Sequence, residues 1–142
     1  MKTLDDVRWI DLPERDAGQL VVMQGHAEVP FAMARVFMVR APEGATRGNH
    51  AHRQCIQLLV CVSGAIEVEC DDGERKATYR LDAAQRGLLV PPSVWARQNY
   101  RQPQSTLIVL CDRPYEPEDY IRDYAEFQKY RGRKPARDNS GA

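Results

Sequence analysis

The sequence predicts an all-β fold, an antiparallel sandwich or barrel carrying one C-terminal helix, and three observations lead there. Apolar runs of about 4–8 residues recur along the chain with turn signals between them. One segment, "AIEVECDDGERKATYRL", alternates apolar and acidic residues up to a tight turn. A single stretch, "PEDYIRDYAEFQKY", shows helical spacing.

Taken in order, the strand-like runs are "VRWIDL", "QLVVMQ", "ARVFMVR", "IQLLVCV", "AIEVEC", "KATYRL", "GLLVPP" and "STLIVLC". β-Branched and aromatic side chains favour the pleated, half-buried surface of a sheet. In "AIEVEC", Ile66, Val68 and Cys70 alternate with Glu67 and Glu69 before Asp71-Asp72-Gly73, which predicts a hairpin with one wet face. "APEGATRG" at 41–48 and "VSG" at 62–64 read as turns. The helix is expected to start near Pro117, with Glu118 and Asp119 at its positive end and Ile121, Tyr124 and Phe127 on one stripe against the outside of the barrel. Tyr115, Tyr120 and Tyr124 read mainly as packing for that helix, and "RGRKPARDNSGA" after it as a polar tail.

At 142 residues the chain fits one domain able to bury a core without disulfide or metal staples. Lys plus Arg and Asp plus Glu number 20 each, so no net field favours nucleic acid or an anionic membrane, and neither is expected as a partner. Cys55, Cys61, Cys70 and Cys111 form no CxxC pair and lie in or beside apolar runs, as reduced core residues do. The first residues carry acids where a signal peptide needs an apolar run, and no segment approaches the roughly 18 apolar residues of a membrane span, so a cytoplasmic protein is expected.

Chemistry concentrates in "TRGNHAHRQCIQ", residues 46–57. Alternate residues of a strand share a face, so an extended chain here sends His50 and His52 into one cavity. A metal centre is under-supplied: beyond the two histidines the nearby offer is Gln57, a weak neutral ligand, and "PPSVWARQN" contains no His, Asp, Glu or Cys. His26, in "QGHAEVP", reads as a solvated loop residue. Acid/base work needs less, because an imidazole with a pKa of about 6.5 takes and returns protons near neutrality. Arg47 adds a guanidinium able to grip a phosphate or a developing enolate oxygen. The competing reading is a pair of hydrogen-bonded interior residues without chemistry, against which Gln54 and Gln57 argue for a polar, ligand-holding interior.

Gly44, His50 and His52 in a G-x5-H-x-H arrangement, then Gln57 and Gly64, resemble the first cupin motif with its usual carboxylate replaced by glutamine. More narrowly, "RGNHAH", "QLLVCVSG", "DDG", "VPPSVW" and "YIRDYAEF", in that order, resemble the nucleotide-sugar 3,4-ketoisomerases acting on dTDP-4-keto-6-deoxyglucose, over about residues 9 to 130. The resemblance implies a cupin (jelly-roll) barrel with one C-terminal helix over residues 1–130, with 131–142 as tail. It also implies no cofactor, no metal, and a homodimer with exchanged N-terminal strands. The implied activity moves the keto group from C4 to C3 through an enediol, on the route to 3-amino-deoxysugars of surface polysaccharides, such as lipopolysaccharide O-antigen, or of antibiotics. Carried over, His50 and His52 are the acid/base pair and Arg47 the anchor for diphosphate or enediolate oxygen.

Substrate contacts are expected from Gln54, Gln57, Met38, Trp95 and Arg97, the last two pointing into the same cavity. Two places depart from the family pattern: Phe37 and Met38 stand where tyrosines are usual, and Ala96 where a histidine is. Those departures favour, as a second reading, an epimerase or differently regioselective isomerase on a related sugar nucleotide; a sugar-nucleotide binding module without catalysis and a metal-dependent cupin oxygenase are the third and fourth.

Overall fold

The computed structural model describes residues 1–16 and 20–134. Its strands, numbered in chain order, form two five-stranded antiparallel sheets. The first runs β1 (Arg8–Asp11), β9 (Arg86–Val90), β6 (Gln57–Ser63), β11 (Ser105–Cys111), β4 (Arg35–Ala41). The second runs β12 (Tyr120–Ile121), β5 (Thr46–His52), β10 (Trp95–Tyr100), β7 (Ile66–Asp71), β8 (Lys76–Leu81). A small hairpin pairs β2 (Glu14–Arg15) with β3 (Leu20–Val21). From β4 to β12 the chain changes sheet at every connection but the β7–β8 hairpin, which is the winding of a jelly roll.

Three apolar clusters divide the interior work. Between the sheets, Leu59, Leu88 and Leu107 meet Ile66, Val68 and Tyr100, all at most 1% exposed. Outside the first sheet, Leu12, Val29 and Phe31 from the N-terminal segment cover Leu58, Val60 and Leu110. Outside the second sheet, Ala51, Trp95 and Ile121 take the helix through Phe127.

The β7–β8 hairpin follows the alternation read from the sequence: Ile66, Val68 and Cys70 are buried and Glu67 and Glu69 half-buried. Asp71 Oδ1 accepts from the Gly73 amide at 2.7 Å, closing the turn. Gly64 ends "VSG" at φ +79°, where a Cβ would sit 2.8 Å from Ser105 Cα, so only glycine fits.

Elsewhere the structure corrects the expectation. The turn predicted at 41–48 is confined to a tight bend between β4 and β5, with the Ala45 amide donating to the Pro42 carbonyl at 3.1 Å. Among the described residues of "QLVVMQ", 20–24, the strand is confined to Leu20–Val21. Strand β10 was not among the predicted runs, because Arg97, Gln98 and Asn99 break its apolar pattern. The helix does not start at Pro117. Pro117–Asp119 form one 3-10 turn, and Tyr120–Ile121 pair with His52 and Ala51 at the sheet edge. The α-helix α1 spans only Tyr124–Tyr130, opened by the Asp123 side chain accepting from the Glu126 amide at 3.2 Å. The backbone bonds offered by β5 outweigh the weak helical preference of this short segment. Most of the tail, from residue 135, lies outside the described residues.

Candidate active site

Strand β5 carries the histidines, and a bulge decides what accompanies them. Ala96 pairs with His50 but Arg97 pairs with Gly48, so Asn49 is an extra residue. Gly48 and Asn49 adopt φ +87° and +57°. A Cβ on Gly48 would lie 3.1 Å from the Ala96 carbonyl oxygen. The extra residue shifts the alternation by one, turning Arg47 to the same face as His50 and His52. Strict alternation would have placed it opposite.

A cavity of about 80 Å³ results, between β4 of the first sheet and β5 of the second. Phe37 and Val39 form one wall, Arg47 and His50 the other, and Gln57 and Gln98 lie deeper, 7% and 8% exposed. Tyr100 Oη donates to Gln98 Oε1 at 3.2 Å, and the Gln57 amide donates to Cys111 Sγ at 3.6 Å. Arg47 is exposed at the rim.

The two imidazoles stand edge to face, ring centroids 4.9 Å apart at 89°. Tyr120 packs 4.4 Å from the His52 ring and 5.0 Å from that of His50, and its hydroxyl accepts from Arg35 at 3.2 Å. His50 Nδ1 and His52 Nε2 are buried without a hydrogen-bond partner. His52 Nδ1 lies 2.9 Å from Asp119 Oδ2, both groups buried. Burial, and then the neighbouring His52, push His50 down to about 4. Burial also lowers His52, opposed by the hydrogen bond and charge of Asp119. Near neutral pH both rings are therefore uncharged, and each offers one donor and one acceptor nitrogen.

The expected site residues separate accordingly. Arg47, His50 and Gln57 line the cavity, with His52 beside them. Trp95 and Arg97 do not point there. They lie on the other face of the sheet, lining a separate cavity of about 240 Å³ with Glu69 and Tyr124, and Arg97 donates to Glu69 at 2.9 Å. The register of β10 is the reason: Ala96 stands opposite His50, so Ala96 and Gln98 take the inner face and Trp95 and Arg97 the outer one. Met38 faces outward at 61% exposure because Phe37 holds the inward register of β4. Gln54 is an exposed loop residue in a shallow pocket with Arg53 and Arg113. His26 is exposed in a loop, as expected. Tyr120 belongs to the imidazole cluster rather than to helix packing, whereas Tyr124 packs edge-on against Trp95.

Sequence reasoning missed Asp119 as a partner of His52 and Gln98 as a cavity residue. Asp119 lies 67 positions from His52 and sits in what looked like the first turn of a helix, so no local signal joins them. Among the described residues, the only trio of metal-capable side chains is His52, Cys55 and Asp119, with ligand atoms within 4.8 Å of one another. It excludes His50, and both Asp119 oxygens already accept backbone amides, from Gln54 at 2.7 Å and Cys55 at 3.3 Å. The four cysteines are buried and unpaired.

Comparison with known proteins completes the picture. The family model described as "FdtA: WxcM-like, C-terminal" matches residues 5–132. The chain is 36% identical over 114 residues, 80% of this chain and 82% of the relative, to the TDP-4-oxo-6-deoxy-alpha-D-glucose-3,4-oxoisomerase of Aneurinibacillus thermoaerophilus. A sugar 3,4-ketoisomerase from Thermoanaerobacterium thermosaccharolyticum, solved in complex with TDP, superposes with TM-score 0.87 at 26% identity, covering 92% of this chain and 97% of that one. A 3,4-ketoisomerase from Helicobacter canadensis gives 0.85 at 26% identity, covering 89% and 98%.

Proposed function

Because the chain belongs to the FdtA, WxcM-like C-terminal family, we propose that it is a sugar-nucleotide 3,4-ketoisomerase acting on a dTDP-linked 4-keto-6-deoxy sugar. The carrying observation is the pair of uncharged imidazoles, 4.9 Å apart, each with a buried unpartnered nitrogen beside a cavity rimmed by Arg47.

The reaction is internally balanced. One imidazole takes the proton from C3 while the C4 carbonyl oxygen gains one, giving a 3,4-enediol. The C3 hydroxyl then gives up its proton as C4 receives one on carbon, so C3 is oxidised and C4 reduced with no external electron carrier. In this reading His50 and His52 are the acid/base pair, and Arg47 steadies the diphosphate or the enediolate oxygen. Gln57 and Gln98 are placed to hydrogen-bond the sugar hydroxyls, and Phe37 and Val39 press its apolar face. The apolar Phe37 wall supports a pocket that orients the sugar by shape.

The same reading includes a homodimer with exchanged N-terminal strands. Val36 and Met38 are 58% and 61% exposed on β4, a sheet-edge strand, and Val62 is 42% exposed nearby in the same sheet, which suits burial against a second copy. A 3-keto product calls for amino transfer to C3, which fits a cytoplasmic step toward amino-deoxysugars of O-antigen or other surface polysaccharide. No described helix is long and apolar enough to cross a membrane.

The test is proton NMR of chelator-treated protein with dTDP-4-keto-6-deoxyglucose in D₂O. Loss of the C3 proton signal with growth of a 3-keto sugar is expected. Exchange without a new keto position would favour an epimerase, and neither change in folded protein would favour a binding module.

A further inference from the structure

We propose that Asp119 is the positioning residue for His52: its carboxylate holds the ring in the Nδ1–H tautomer and aims a bare Nε2 at the sugar. The inference rests on the ketoisomerase reading for its kinetic consequence, but its chemical core concerns the ring alone.

The carboxylate is tied down before it meets the histidine. Oδ1 accepts from the Gln54 amide at 2.7 Å and Oδ2 from the Cys55 amide at 3.3 Å, while the Arg53 amide donates to the Asp119 carbonyl at 2.9 Å. An oxygen held by backbone donors remains an acceptor, so the 2.9 Å contact with His52 Nδ1 requires the proton on Nδ1. Nε2 then carries the lone pair, and Nε2 is the atom left buried and unpartnered. Pairing of Tyr120 with His52 and Ile121 with Ala51 fixes the two backbones in register, and the Tyr120 ring at 4.4 Å blocks rotation of the imidazole. His50 has no carboxylate partner: its Nδ1 is unpartnered, and the hydrogen bond on its ring is with the Gly48 backbone.

The two histidines are therefore unequal. His52 begins turnover only as a proton acceptor, and the imidazolium it becomes is stabilised by the carboxylate behind it. His50 has no carboxylate behind it to fix its proton.

Asp119→Asn discriminates positioning from scaffolding. The amide retains an oxygen for the Gln54 amide and gives up only the longer bond from Cys55, but its NH₂ facing Nδ1 makes that nitrogen an acceptor and moves the ring proton to Nε2. The expected result is a folded variant with kcat lowered about 10²-fold or more and KM within about threefold. Asp119→Glu should restore part of kcat. ¹⁵N-histidine NMR gives a readout independent of turnover: wild-type His52, assigned by its loss in His52→Asn, should show a protonated Nδ1 and a bare Nε2. A wild-type ring protonated on Nε2, or an Asn variant with kcat within about threefold of wild type, overturns the proposal. Should Asp119→Asn fail to fold, the wild-type spectrum alone still decides it. A protein with the Nδ1–H ring but no isomerase activity would sink the ketoisomerase reading and leave the positioning of His52 standing.

Discussion

The two faces of strand β5 are built from alternate residues of one short sequence, yet they do opposite things. Inward, His50 lines a cavity with Arg47, Gln57 and Gln98, and His52 packs against His50 beside it. Outward, Ala51 packs with Trp95, Ile121 and Phe127 into an apolar seam that seats helix α1. A soluble sheet usually turns its apolar face to the core and its polar face to water. Here the local order is reversed, and the helix is what makes the reversal tolerable by covering the outer face. Polar groups kept inside against the cost of desolvation mark a place for a ligand.

The contrast can be broken from either side. Phe127 is fully buried in the outer seam, and Phe127→Ala should cost about 3–5 kcal/mol of stability in a denaturant titration while leaving kcat near wild type where the protein is folded. On the inner face the effect of pH is next in size. His50 is held neutral in the fold down to about 4 but takes a proton near 6.5 when unfolded. Its contribution is fully present above 6.5 and is lost as pH falls toward 4, by up to about 3 kcal/mol. Melts across that window should show the slope, and His50→Asn should flatten it.

His50→Asn and His52→Asn should each lower turnover about 10²-fold, equivalent to about 2.7 kcal/mol of barrier, with the fold intact by circular dichroism. Unchanged rates in both would remove the acid/base pair. The smallest effect sharpens the bulge. Arg47→Ala should raise KM about tenfold, as loss of one charged contact does, whereas Arg97→Ala, across the sheet and paired with Glu69, should leave KM within about twofold. Equal effects would show that both faces reach the substrate.

Legibility followed the range of the physics. The β7–β8 hairpin was readable because alternation and Asp-Asp-Gly act over a few residues. His50 and His52 were readable as a pair because period two is a property of any strand. Trp95, Arg97 and Met38 were misplaced because the face a side chain takes depends on register: Ala96 stands opposite His50, which turns Trp95 and Arg97 outward, and Phe37 takes the inward place on β4. The helix start was misplaced because Pro117 and the acidic residues after it also suit a 3-10 turn, and the edge of β5 was not visible as a partner.

The sequence by itself determined an all-β chain, its hairpin, its histidine pair with the preceding arginine, and the family pattern these belong to. Those follow from side-chain chemistry and short-range periodicity. Only the tertiary structure decided that Arg47 shares the histidines' face, that Arg97 does not, and that Asp119 stands behind His52. Each of these depends on which strands lie side by side and in what register, and that is settled by burial of the whole core rather than by any local stretch.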